Sequence, residues 1–317
     1  MKAAIVEKLG QTPVYRDFAD PVPEPGESRI KVSAAAMSHV VKGRASGQHY
    51  SSTNRFPFVV GIDGVGRLDD GRRVYFILPR EPFGSMAEQA VVPSSHCIPL
   101  PEELDDVRAA ALANPGMSCW AAFKERARLV AGETVLINGA TGTAGRLAVQ
   151  VARHLGAGKI IATGRNAGAL QSVAALGVDV AILLVEDVAA LDARFREQFA
   201  GRVDVVIDYL WGKSAERLLV AAAKAGDDGV PVRFVQVGAV SGPEIALPAQ
   251  VLRAKSITLM GSGLGSVAQD RLVQVIGEMM RAAVPGGFDV ATTPVPLAEV
   301  EQAWSRDVSK QRTVFTL

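Results

Sequence analysis

The run Asn138-Gly139-Ala140-Thr141-Gly142-Thr143-Ala144-Gly145 places glycines at every third position between two contrasting stretches. Before it lies the apolar Thr134-Val135-Leu136-Ile137, and after it the helix-forming Arg146-Leu147-Ala148-Val149-Gln150-Val151-Ala152. Gly139 permits a tight strand-to-helix turn, Gly142 lets a diphosphate approach the backbone with no Cβ in the way, and Gly145 lets the helix pack close to the sheet. The diphosphate would then sit on free N–H groups at the positive end of the helix dipole. Gly139, Thr141, Gly142, Thr143, Ala144 and Gly145 are therefore candidate ligands of a dinucleotide. The plain alternative is a structural βα turn that only tolerates small residues; the strand before it and the helix after it weigh against that alternative.

The end of the next strand decides which dinucleotide. An enzyme that uses NAD usually places Asp or Glu about twenty residues beyond such a turn, where it accepts the ribose hydroxyls. Ala162-Thr163-Gly164-Arg165-Asn166 offers no acid there. A guanidinium at Arg165 can pair with a 2′-phosphate, which a carboxylate would repel. Arg165 is therefore expected beside the 2′-phosphate, and the expected cofactor is NADPH.

The elements that must position these residues change character along the chain. The first hundred residues read as irregular β structure, with strands at Arg29 to Ala35, Gly64 to Leu68, Val74 to Leu78 and Ala90 to Pro93 between turns rich in Gly, Asp and Pro. A short helix is expected over Asp105 to Ala113, with Asn114-Pro115-Gly116 as a breaker. From Thr134 onward, continuous apolar strands alternate with helices, ending on a strand at Ser256 to Met260. Strands without polar alternation are covered on both faces, and this alternation with helices builds a doubly wound parallel sheet.

Length and composition fit two packed units of a globular α/β protein. The chain has 317 residues, 48% of them hydrophobic and 21% charged. A net charge of +1, with no long basic tract, gives no field to draw in nucleic acid or an anionic membrane. Cys97 and Cys119 are too few for a disulfide framework and read as buried thiols. Neither a signal peptide nor a membrane span is evident, so the expected location is cytoplasmic.

Several runs, taken in order, resemble the medium-chain dehydrogenase/reductase superfamily. They are 56–66 (Phe56 to Gly66), 71–74, 84–88, 116–120 (Gly116 to Trp120) and 294–300, together with the glycine-rich turn. The resemblance covers nearly the whole chain. It implies a doubly wound parallel Rossmann sheet over 115–262 and a GroES-like β-rich catalytic domain over 1–114 and 263–317. It also implies a homodimer paired near Ser256 to Leu264. Where the superfamily's zinc enzymes carry the first Cys, the Gly-His-Glu run and the second Cys, this chain has Met37-Ser38-His39, Gly61-Ile62-Asp63 and Asn114. No segment has room for a four-cysteine lobe. The resemblance is therefore to the zinc-free quinone oxidoreductase-like branch, with no metal expected. Without a Lewis acid, alcohol oxidation is disfavoured. A quinone or conjugated carbonyl, which delocalises incoming charge in its own π-system, is the expected hydride acceptor.

By the same resemblance, Gly142, Thr143, Ala144 and Gly145 hold the diphosphate, and Gly164, Arg165 and Asn166 face the adenosine end. Asp208, Tyr209 and Leu210, then Val237, Gly238 and Ala239, then Ser262, Gly263 and Leu264 end successive strands beside the cofactor. Ser118 and Asn114 are expected near its nicotinamide. Ser38 and His39, with Tyr50 in a following loop, are candidates to bind the acceptor or give it a proton, and His39, Tyr50 and Asn114 are taken as the catalytic set. Two alternatives stay open: an NADPH-dependent enone or enoyl-thioester reductase, with Arg44 and Arg55 at the rim, and a non-catalytic NADPH-binding protein.

Overall fold

The computed structural model describes residues 1–49, 51–184, 187–306 and 311–317. Contacts divide the chain into two compact units, Met1–Asn114 with Val273–Pro285 and Asp289–Leu317, and Pro115–Leu272 with Gly286–Phe288. No helix among the described residues is long and apolar enough to cross a membrane.

The first unit starts with β1 (Lys2–Val6), β2 (Val14–Asp17), β3 (Glu27–Ala36) and the helix α1 (His39–Ser46). It continues with β4 (Phe58–Val59), β5 (Asp63–Leu68), β6 (Arg73–Ile77), β7 (Gln89–Pro93) and β8 (Cys97–Pro99). Strand β3 is its spine: it pairs with β5, β7 and, late in the chain, β16 (Arg312–Thr316). Its first half alternates exposed and buried residues, whereas Ala34, Ala35 and Ala36 are all buried. Gly66 is required where β5 crosses β3, since a Cβ there would stand 2.3 Å from the Lys31 carbonyl oxygen.

Two elements of this unit escape the sequence pattern. Helix α1 has two buried residues, Val41 and Ala45, and a glycine in its middle, so no apolar stripe marks it. Strand β15 (Thr292–Pro296) contains two prolines and survives because it is the edge of a seven-stranded sheet, where a missing N–H costs no ladder bond.

Helix α2 (Asp106–Ala121) corrects a third expectation. Asn114-Pro115-Gly116 does not break the chain; Pro115 lies inside the helix. The proline removes one helical N–H donor, but the flanking residues Ala109 to Ala113, Cys119 and Trp120 are buried, and tertiary packing outweighs the local penalty.

The second unit is built on β9 (Thr134–Asn138), β10 (Lys159–Gly164), β11 (Val180–Leu183), β12 (Val205–Asp208), β13 (Val232–Gln236) and β14 (Ile257–Gly261). All pairings are parallel, in the order β11-β10-β9-β12-β13-β14. The crossovers carry α3 (Thr143–His154), α4 (Ala167–Ala174), α5 (Val188–Ala200), α6 (Gly212–Ala225) and α7 (Val251–Ala254). This is the doubly wound Rossmann sheet, with β9 and β12 at its centre. Leu136, Ile161, Phe195, Phe199, Leu218 and Phe234 fill one core of this unit. One expectation fails here: β14 is not covered on both faces but is a half-exposed edge strand. The chain then runs through α8 (Gln269–Ala283), β15, α9 (Val300–Ala303) and β16.

The first unit also buries a charged cluster. Asp63 opens β5 and Arg312 opens β16, the two strands that flank β3. The Tyr75 hydroxyl donates to Asp63 Oδ2 at 2.9 Å. Burial pushes the Asp63 carboxyl up to about 6, against the pull of the Tyr75 hydrogen bond and the Arg312 charge. The folded chain therefore keeps this proton at pH values where the unfolded chain has released it. The stability of the wild type relative to Asp63→Asn should fall as pH rises from 3.8 to about 6 and stay level above that. Urea unfolding of both proteins at several pH values checks this.

Candidate cofactor site

Strand β9 delivers the glycine-rich turn at its C-terminal end. Gly139 has φ +92°, a left-handed conformation that other residues rarely adopt. Gly145 is needed for a different reason: a Cβ there would sit 2.3 Å from the Gly139 carbonyl oxygen, so the first turn of α3 can lie against the loop only without one. Gly142 is the N-cap of α3 and supplies no side-chain acceptor. The N–H groups opening α3 therefore have no cap from that position and point where an anion is best received.

Below the turn, side chains at three strand ends are tied together. The Gly139 N–H donates to Thr163 Oγ1 at 3.0 Å, and that hydroxyl donates to Asn138 Oδ1 at 2.7 Å. Asn138 Nδ2 donates to Asp208 Oδ1 at 2.8 Å and to Ser214 Oγ at 2.9 Å. Asn138, Thr163 and Asp208 stand at the ends of β9, β10 and β12, and all three are fully buried. Asp208 also accepts the backbone N–H groups of Leu210 and Trp211. Burial raises its carboxyl above the usual range, and these hydrogen bonds oppose the shift.

The other candidates of this unit fall into two groups. Gly164 lies against the turn, since a Cβ on it would stand 2.4 Å from Thr141 Cγ2. Arg165 is exposed, and among the described residues nothing pairs with its guanidinium. Thr143, Ala144, Val237, Gly238, Ala239, Ser262, Gly263 and Leu264 also stand at strand ends or helix starts, as expected. In contrast, Asn166 Oδ1 is occupied as the N-cap of α4, accepting the Ala169 N–H at 2.8 Å. Asp208 is wholly internal, Tyr209 and Leu210 are buried, and Leu210 packs on Gly139. These residues shape the turn from behind. Ser118 sits in α2 with its hydroxyl donating to the Pro115 carbonyl at 2.9 Å.

In the other unit, Ser38 is the N-cap of α1: its buried Oγ accepts the Val41 N–H at 3.1 Å. His39 follows as the exposed first residue of that helix, and Asn114 is half-buried in α2. Tyr50 lies outside the described residues. Arg44, expected at an open rim, is paired with Glu81 at 3.0 Å. Among the described residues no group of three or more His, Cys, Asp or Glu is arranged to hold a metal ion. Sequence reasoning missed the part played by Asn138 and Thr163. Asn138 was visible as the polar residue closing an apolar strand, where a buried amide must find partners.

Comparison with known proteins places the chain. A sequence profile described as zinc-binding dehydrogenase matches residues 144–293. The chain is 30% identical to the probable NADPH-dependent quinone reductase tdiC of Emericella nidulans, with 98% of each protein covered. The chain belongs to the medium-chain dehydrogenase/reductase superfamily, in its quinone oxidoreductase-like branch. This medium-chain dehydrogenase/reductase also resembles the crystal structure of a quinone oxidoreductase from Thermus thermophilus, solved with and without NADPH, with a TM-score of 0.82 and 27% identity over the whole of both chains. It is 32% identical to a stretch of the spectinabilin polyketide synthase system protein NorB of Streptomyces orinoci, matching 90% of this chain and 13% of that protein.

In this superfamily member the hydroxyl of Thr163 serves two partners at once. Thr163→Val keeps the shape, but leaves the Gly139 N–H and Asn138 Oδ1 buried without a hydrogen bond. The expected cost is roughly 2–4 kcal/mol of unfolding free energy, measured by urea denaturation.

Proposed function

We propose that the chain is an NADPH-dependent oxidoreductase that passes a hydride to a quinone or another conjugated carbonyl without a metal ion. What carries this reading is the cradle at the end of β9. Gly139 is forced by backbone conformation and Gly145 by close contact, the helix start at Gly142 has no side-chain cap, and an exposed arginine stands at the end of β10. When bound, NADPH supplies the hydride at C4 of its nicotinamide.

The chain's own residues hold and orient. Thr141, Gly142, Thr143, Ala144 and Gly145 receive the diphosphate on backbone N–H groups, and Arg165 pairs with the 2′-phosphate. Val237, Gly238 and Ala239, with Ser262, Gly263 and Leu264, border the nicotinamide end, and Ser118 and Asn114 of α2 are the further candidates for it. His39 and Tyr50 are the candidates to give the reduced acceptor the proton that follows the hydride.

The donor set supports metal independence. A catalytic zinc takes three protein ligands, typically Cys and His. Here Ser38 is engaged as a helix cap, Asp63 shares its carboxylate with Tyr75, and Asn114 is a poor ligand. The relatives described as quinone reductases support the acceptor class. The likeness to a stretch of a polyketide synthase system protein favours a 2-enoyl thioester as the second acceptor to test. The half-exposed edge strand β14 supports pairing into a homodimer.

Isothermal titration with NADPH and NADH, followed by NADPH oxidation with a naphthoquinone, a 2-enal and crotonyl-CoA, tests the proposal. Tight NADPH binding with fastest turnover on the quinone is expected; a preference for NADH, or binding without turnover on any acceptor, overturns it. Arg165→Glu should weaken NADPH binding by roughly 10- to 100-fold while changing NADH binding little.

A further inference from the structure

The loop after β14 is held from outside the sheet. A π-helical turn, Ala122–Ala127, follows directly on α2 and ends at Arg128, whose φ is +52°. From this turn Arg126 Nε donates to the Gly261 carbonyl at 2.9 Å, and Arg126 Nη1 reaches the Ser266 carbonyl at 3.4 Å. One guanidinium thus spans both ends of the segment that contains Ser262, Gly263 and Leu264. Within the segment, the Gly263 N–H donates to Ser266 Oγ at 2.8 Å. The turn is itself anchored to the neighbouring strand, since Arg233 of β13 donates to the carbonyls of Ala127 at 2.8 Å and Arg128 at 3.3 Å.

A surface loop rich in glycine has many conformations to lose, and fixing one of them costs entropy at the moment of binding unless it is fixed beforehand. A planar fork that satisfies two carbonyls is suited to doing so, because its donors are held rigidly relative to each other. A lysine at the same place would reach one carbonyl at a time. A π-turn is also rare in proteins and is found mostly as an insertion near functional sites.

We propose that Arg126 is a positioning residue: it presets the loop Gly261–Ser266 for the nicotinamide end of the cofactor without touching the cofactor itself. This rests on the NADPH reading given above. It makes a prediction that separates the two ends of one ligand. Adenosine 2′,5′-bisphosphate carries the 2′-phosphate and adenosine of NADPH but no nicotinamide, so it engages the site near Gly164 and Arg165 and leaves the β14 loop alone.

The test uses the full-length chain and its Arg126→Ala and Arg126→Lys variants, with binding of NADPH and of adenosine 2′,5′-bisphosphate measured by calorimetry and KM and kcat measured for NADPH. The expected result is a roughly tenfold rise in the NADPH Kd and KM for Arg126→Ala, a smaller rise for Arg126→Lys, kcat within about threefold of wild type, and bisphosphate binding unchanged within about twofold. Unchanged NADPH binding in both variants overturns the proposal and leaves the cofactor reading intact. Equal loss of both ligands also overturns it, because the arginine would then support the whole unit. If the wild type binds neither ligand, the cofactor reading fails first. Should Arg126→Ala not fold, the lysine variant alone decides, because it keeps the charge and loses the two-carbonyl span.

Discussion

The candidate site depends on one buried carboxamide. Asn138 closes the central strand β9, and its side chain reaches to both sides: its oxygen accepts from Thr163 on β10, and its nitrogen donates to Asp208 on β12 and to Ser214 of α6. Both of its N–H groups and its carbonyl are thereby used, which is what burial demands of an amide. The arrangement fixes how far each strand runs before it turns. Gly139 leaves β9 with its N–H already given to Thr163, so the cradle is oriented by the same hydrogen bonds that align the strands. An aspartate at the end of β12 then serves the turn Leu210–Trp211 with backbone contacts and stays away from solvent.

What could be read in the sequence follows from this architecture. The parallel strands were legible because burial on both faces leaves continuous apolar runs, as in Val135-Leu136-Ile137 and Val205-Val206-Ile207. The glycines at Gly139 and Gly145 were legible because a left-handed φ and a contact of 2.3 Å admit nothing else. The roles of Asn166, Asp208 and Ser38 were less visible. Each is polar and sits where a ligand contact was expected, but Asn166 and Ser38 cap helices and Asp208 binds a turn. Sequence identifies a residue that needs a partner; only geometry says whether the partner is the chain itself or something bound to it. Elements set by tertiary packing were the hardest to read. Pro115 inside α2, the two prolines of β15 and the patternless helix α1 all contradict local preference, and all are carried by their neighbours.

The cluster of Asp63, Tyr75 and Arg312 shows the same economy in the other unit. Positions that resemble metal-ligand positions of related enzymes carry side chains absorbed into the scaffold. Ser38 starts a helix, and Asp63 joins a buried tyrosine in the field of an arginine. Tyr75 of β6 thus reaches across to Asp63 of β5, and the Arg312 charge on β16 favours the ionised carboxylate.

The two large sheets also meet solvent differently at their borders. The main path of the seven-stranded sheet runs from β15 to β8, with β7 pairing β3 off it, and both end strands carry proline, Pro294 and Pro296 on the first and Pro99 on the second. Proline has no N–H to offer, so neither border invites another strand. The six-stranded sheet ends at β14, which has no proline and no charged residue between Ile257 and Gly261. At the end of this border the Gly261 carbonyl is taken by Arg126, and short of that point no residue of β14 itself guards against a further strand.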